Sequence, residues 1–231
     1  MSTVFKQGLS NNQLKLLAMA AMLLDHVGKI LLPRFPLLQI IGRLAFPIFA
    51  YMIAEGCAHT RSRKRYLATM AALALACQVV YVIAEGSLYQ SVLTTFVLSI
   101  LTVFCVDRLR KKKDLRSAGL VLGMFAALAV ICLWLPKLLK PFDFGIDYGL
   151  MGVLLPVAVY LAPGKFKKLL ACAVCLILLG LQNGGRQWYA LLALIPLAMY
   201  NGHRGKRNLK LLFYLFYPCH LAALYLIDFL I

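Results

Sequence analysis

Acidic side chains are scarce in this chain: eight Asp and Glu stand against twenty-five Lys and Arg, a formal net charge of +17. Charge of either sign is also sparse, at 14% of residues, where a soluble domain carries about 25%. So little charge cannot coat a water-soluble globule, and 62% hydrophobic content points to a polytopic membrane protein. The N-terminal arm, MSTVFKQGLSNNQ, lacks a basic stretch leading straight into an apolar core with a small-residue cleavage site. The first apolar run is therefore expected to stay in the protein and not to be removed as a signal peptide. There is no visible internal repeat, which argues against the inverted-repeat transporter plan. There is no converging set of three or four metal ligands either. The seven cysteines lie in or beside apolar runs, and Cys172 and Cys175 have CxxC spacing without a second pair. They read as buried small hydrophobes, and no metal is expected. The basic clusters sit on short loops between apolar runs, so no nucleic-acid partner is expected.

What the chain does have is a series of apolar runs near the roughly 20 residues that a helix needs to cross a bilayer. They fall at 14–32, 38–59, 67–85, 91–108, 117–135, 148–162, 167–183, 187–200 and 211–230. The expected fold is all-α: one polytopic integral membrane helical bundle over 1–231, with about nine transmembrane helices. Pro156 and Pro196 are expected to kink the sixth and eighth. With the N-terminus inside, strict alternation puts eighteen basic residues in the inner segments and five in the outer ones. That bias predicts an N-in, C-out orientation, with the basic loops also meeting anionic lipid. The longest segment between spans, PKLLKPFDFGID at 136–147, reads as an outer turn or re-entrant piece. Asp147 is expected to cap the sixth helix. Glu85, Asp107 and Asp228 fall at span ends and read as solvated.

The runs from 14 to 60 stand out because Asp25, His26, Arg43, Glu55 and His59 lie within them. Each such residue costs about 2.5–3.5 kcal/mol to insert and normally faces a protein interior or a wet cavity. Lys15 and His26 are eleven positions apart, three helical turns to within about 20°. Both belong on one face, about 16 Å apart along the axis. Asp25 points about 100° away from His26 and is better placed to pair with another helix. By depth, Arg43 has Asp25 or Asp147 as its candidate partner; an Asp25–Arg43 pair would also serve as plain packing glue. Glu55 and His59 share a face near the inner end, where snorkelling is the simple alternative. His220 follows Pro218 mid-span, where a freed carbonyl would allow local unwinding. Intramembrane His, Asp and Glu suit group transfer across the bilayer. They suit equally the proton relay of a proton-coupled transporter or a lipid flippase.

The run LKLLAMAAMLLDHVGK, then IGRLAFPIFAYMIAEGCAHT, DYGLMGVLLPVAVY, YNG and FYLFYPCHL, in that order, resembles the TraX family over nearly the whole chain. The resemblance implies a multi-pass enzyme of the cytoplasmic (inner) membrane that acetylates the N-terminal amine of pilin. It also implies kinship with the transmembrane acyltransferases that O-acetylate surface polysaccharides and lysosomal glucosamine. Some of those carry a basic residue and a histidine with ten residues between them in an early span, matched here by Lys15 and His26. On this likeness His26 is the catalytic base and Arg43 is essential; Arg43 would stabilise the oxyanion or hold Asp25, and Asp25 completes the expected catalytic set. Acetyl-CoA is the co-substrate, its phosphates drawn to Lys15, Arg61, Arg63, Lys64 and Arg65, with Glu55 and His59 beside them. Asp147, Tyr148, Tyr217 and His220 are expected on the side of the acceptor, a peptide amine or a glycan hydroxyl or amine at the outer face. An oligomer is compatible with this composition.

Overall fold

The computed structural model describes residues 8–205, 207 and 209–231. Lys6 in the expected inner arm, and Lys206 and Asn208 in the 204–210 loop, lie outside the described residues. Helices account for the regular structure; among the described residues the only extended pairings are two isolated bridges, Leu9 with Tyr200 and Gln90 with Ile146. Among the described residues five helices are long and apolar enough to cross a membrane: Pro36–His59, Arg63–Glu85, Val92–Lys112, Leu115–Leu138 and Lys210–Leu230. The first helix is as long as a span but carries Lys15, Asp25, His26 and Lys29, which lower its hydropathy. The chain divides into two compact units, residues 1–52 with 164–231, and residues 53–163.

The first unit begins with α1 (Asn11–Ile30), which a capping box starts: Ser10 accepts from the Gln13 N–H and Gln13 accepts from the Ser10 N–H. α2 (Pro36–Gly42) returns against α1 after a short turn. The expected second span is present as Pro36–His59, with a turn at Arg43 and Leu44 between α2 and α3 (Ala45–His59). The close passage of α2 over α1 depends on two glycines. A Cβ on Gly28 would overlap Leu38, and one on Gly42 would overlap the Asp25 side chain. α9 (Gly164–Asn183), a 3₁₀ segment (Gly185–Ala193) and α10 (Leu194–Ala198) follow. The eighth expected span is thus mostly 3₁₀ helix, nine residues long where such runs rarely exceed three or four. Its Trp188 lies against Gly180 of α9, at the only kind of residue flat enough to admit an indole there. α11 (Lys210–Leu230) closes the chain against α1 and runs through Pro218 without a break, so no unwinding occurs there. Leu14, Ile48, Leu176, Leu179, Leu197 and Leu221 are fully buried and form the core of this unit.

In the second unit α4 (Arg63–Glu85) and α5 (Val92–Lys112) form an antiparallel pair. α6 (Leu115–Ala129) passes through a π-helical turn (Val130–Trp134) into α7 (Leu135–Leu138), so the helix outlasts its expected end at 135. A 3₁₀ turn (Lys140–Phe142) and α8 (Gly149–Leu161) complete it. α8 packs on α5 through small and hydroxyl residues, the usual device where lipid removes the hydrophobic drive between helices. Ser99 donates to the Val153 carbonyl at 2.8 Å, Thr95 donates to the Asp147 carbonyl at 2.6 Å, and Gly152 leaves room for Thr95. Asp147 does not cap α8; the cap position is Tyr148, in a left-handed conformation with φ 60°. The Asp147 carboxylate instead accepts from the Tyr89 hydroxyl at 3.2 Å. Burial, then the neighbouring Asp147 charge, pushes the Tyr89 phenol above its usual range.

Candidate functional site

His26 of α1 and His220 of α11 meet where the two helices pack. His26 lies 7% exposed and His220 8% exposed, and His26 Nδ1 stands 2.8 Å from His220 Nε2. His220 Nδ1 lies 2.8 Å from the Phe216 carbonyl one turn back. A carbonyl can only accept, so His220 Nδ1 carries a proton. In the neutral pair His220 Nε2 is then bare and accepts, His26 Nδ1 donates, and the one lone pair left over is on His26 Nε2. The geometry thereby selects one tautomer for the neutral pair, with His26 Nε2 bare. Tyr217 meets both rings edge-on, with centroids 6.0 Å from His26 and 5.4 Å from His220, and Phe216 stacks on His220 at 4.6 Å. These aromatic contacts fix both imidazole planes.

The expected shared face of Lys15 and His26 is present. Lys15 Nζ lies 5.3 Å from the centre of the Phe213 ring, also on α11, two turns before His220. Asp25 turns toward α2 and takes Arg43 Nη2 at 2.6 Å on one oxygen. Its other oxygen takes Lys29 Nζ at 2.6 Å. Arg43 Nε also donates to the Gln39 carbonyl at 3.3 Å. With its guanidinium held this way, Arg43 anchors Asp25 next to the histidine pair. Gln39 ties the same end together, donating to the Gly28 carbonyl at 3.0 Å and accepting from Arg186.

Residues expected around the donor and acceptor are divided between the units. Lys15, Tyr217 and His220 lie in the first with Asp25, His26 and Arg43; Glu55, His59, Arg61, Arg63, Lys64, Arg65, Asp147 and Tyr148 lie in the second. The Arg63 guanidinium is bonded to Asp107, which also takes Lys111 Nζ at 3.3 Å. Asp107 is therefore buried and paired, not solvated as its place near a span end led one to expect. Glu55 is buried; His59 is exposed and its Nδ1 lies 2.9 Å from the Glu55 backbone carbonyl. Arg61, Lys64 and Arg65 are exposed around the start of α4. Glu85 and Asp228 are exposed, as expected.

Sequence reasoning missed Lys29, Gln39 and the His26–His220 bond. Lys29 sits four residues after Asp25, the spacing of a helical ion pair. That spacing was the available signal, but Lys29 reads as outer-loop charge when only loops are counted. No spacing rule reports a contact between residues 194 positions apart. Among the described residues no group of three or more His, Cys, Asp and Glu is arranged to hold a metal ion.

A family model described as TraX protein matches residues 10–228. A curated relative from Dichelobacter nodosus, named "Probable fimbrial assembly protein FimC, serogroup H1", is 26% identical over 241 aligned positions, covering 92% of this chain and 93% of that protein. No solved structure matches.

Proposed function

The chain belongs to the TraX family, and from that footing we propose that it is an acetyltransferase of the inner membrane. The family is associated with pilin modification, and the relative's name speaks of fimbrial assembly. In this reading acetyl-CoA supplies the acyl group. The acceptor is a pilin or peptide N-terminal amine, or an envelope-glycan hydroxyl or amine. His26 Nε2 removes the proton from the acceptor as its nitrogen or oxygen attacks the thioester carbonyl. The new N–C or O–C bond forms, the C–S bond breaks, and the proton passes from His26 to the departing thiolate. Asp25, held by Arg43 and Lys29, keeps the turn beside His26 in place. Tyr217 walls the pair from one side. The observation that carries the reading is the chain from the Phe216 carbonyl through His220 to His26, which leaves a bare nitrogen on a buried imidazole.

The test is release of free thiol from acetyl-CoA by the purified protein in detergent, with mass spectrometry of a pilin N-terminal peptide and of a glycan as acceptors. Thiol release with a mass gain of one acetyl group on either acceptor is the expected result. No release, together with uptake into sealed vesicles that follows a pH step, would establish the proton-coupled transporter instead.

A further inference from the structure

The 3₁₀ segment Gly185–Ala193 changes its surroundings with a period of three. Arg186, Tyr189 and Leu192 are exposed, while Gln187, Ala190 and Ala193 are buried. In a 3₁₀ helix side chains three apart stand one above another. An α-helix would turn Leu192 about 120° away from Arg186. The helix type therefore lines up a guanidinium, a phenol and an aliphatic chain as one exposed ridge. The third row starts with Trp188, whose indole is seated on Gly180 of α9.

The ridge starts just after the polar turn that ends α9, at Asn183 and Gly184, where the chain reverses between two apolar runs. Three residues of 3₁₀ helix rise about 6 Å. The headgroup layer of a bilayer is about 5–8 Å deep on each side. With Arg186 among headgroups, Tyr189 stands at their border with the hydrocarbon, the level where Tyr and Trp are enriched. Leu192 is one step deeper, among acyl chains. Charge, phenol and aliphatic chain thus follow one another in the order in which a phospholipid presents phosphate, ester and tail.

The charge of Arg186 is not matched within its own unit. The sequence of that unit has two acidic side chains, Asp25 and Asp228. Asp25 takes Lys29 and Arg43, and Asp228 lies in the last turn of α11. Among the described residues no carboxylate pairs with Arg186. Its guanidinium instead donates through Nη1 to the neutral Gln39 amide of α2, which also donates to the Gly28 carbonyl. That bond holds the fork in place and occupies one of its five N–H donors. Arg63, by contrast, is bonded to the carboxylate of Asp107.

We propose that the Arg186–Tyr189–Leu192 ridge is a binding site for an anionic phospholipid. The Arg186 fork takes two oxygens of the phosphodiester, the geometry for which arginine is suited. The Tyr189 hydroxyl donates to the ester region, and one acyl chain lies along Leu192. Because Gln39 already orders the guanidinium, less freedom is lost when the headgroup arrives. The site does not depend on the transferase reading, and thiol release plays no part in its test.

The indole of Trp188 is the reporter, in the full-length protein carrying Trp134→Phe in neutral detergent. Phosphatidylglycerol with brominated chains is expected to quench its fluorescence at lower concentration than brominated phosphatidylcholine, whose phosphate is offset by its own cation. Arg186→Gln is expected to raise the apparent Kd for phosphatidylglycerol about fivefold and to remove the preference between the two lipids. Arg186→Lys, which keeps the charge without the fork, is expected to raise it about twofold. Lys165→Gln, at the other end of α9 and so about 27 Å away, is expected to change nothing. Thermal unfolding of each variant shows that it is folded. Equal quenching by the two lipids, or a Kd unchanged in Arg186→Gln, overturns the site. Absence of quenching by either lipid also overturns it, since the ridge is then covered by a second copy of the chain.

Discussion

Asp25 and Asp107 are held alike. Each takes the lysine four residues further along its own helix and an arginine from another helix: Lys29 and Arg43 for the first, Lys111 and Arg63 for the second. Both aspartates are under a tenth exposed. The difference lies in what stands next to them. Beside Asp25 is His26, bonded to a second imidazole with its own fixed partner. Asp107 has no histidine neighbour on its helix, and its arginine is 39% exposed while Arg43 is 16% exposed. A clamped aspartate is thus a general way to hold helix ends together in this protein, and is no mark of chemistry by itself. On the transferase reading the mark is the imidazole whose free nitrogen the packing has chosen.

That comparison can be broken most severely at His26. Replacing it by Gln is expected to lower acetyl transfer about 10²–10⁴-fold, the worth of a positioned general base, with the protein still folded by gel filtration. Asp107→Asn is expected to leave the turnover rate of the folded fraction unchanged. An equal loss in both would erase the distinction between the two aspartates. His220→Gln comes next. Without the second imidazole His26 is free to turn and to take the other tautomer, and kcat is expected to fall about ten- to a hundredfold, the scale of lost orienting partners. A shifted pH–rate profile for this variant, with the Michaelis constant little changed, separates orientation from substrate contact. Third is stability. Asp25→Asn leaves two cations facing a neutral amide in a buried place and is expected to cost about 3 kcal/mol. Asp107→Asn, with more exposed partners, is expected to cost about 1 kcal/mol. Thermal unfolding in detergent compares them, and equal costs would mean the two clamps are equivalent. The smallest effect is expected at Tyr89→Phe, about 1 kcal/mol for its bond to Asp147, with no change in transfer.

Much of this was legible in the residues. The helical class follows from apolar runs of span length, and the shared face of Lys15 and His26 follows from eleven residues being three turns; both ends of that face meet α11, at Phe213 and at His220. The pairing of Asp25 with another helix follows from its angle to His26. What the residues did not disclose is where local rules compete with tertiary contacts. The turn at Arg43 and Leu44 follows Gly42, where a Cβ would overlap the Asp25 side chain, and that need for glycine shows only once the neighbour is known. The 3₁₀ run at Gly185–Ala193 has apolar residues enough for an α-helix, so hydropathy alone reads it as one. Asp147 looked like a cap because acids favour helix starts, but the left-handed Tyr148 and Gly149 turn the chain first, and the carboxylate leaves to meet Tyr89. Asp107 looked solvated because span ends often are, and Arg63 comes from a helix start 44 positions earlier.

The bond between His26 and His220 also sets a timetable. The two are 194 positions apart, and at roughly 5–20 residues per second a ribosome needs about 10–40 s to travel from one to the other. For all that time the first helix is in or near the bilayer with an imidazole whose partner has not been made, and the strap over its start, from His203 and Arg204, arrives only in the last seconds. The first helix to be made is therefore among the last to find its seat. A chain that stops before the final helix would carry every residue of the early motif and still lack the imidazole that His26 meets.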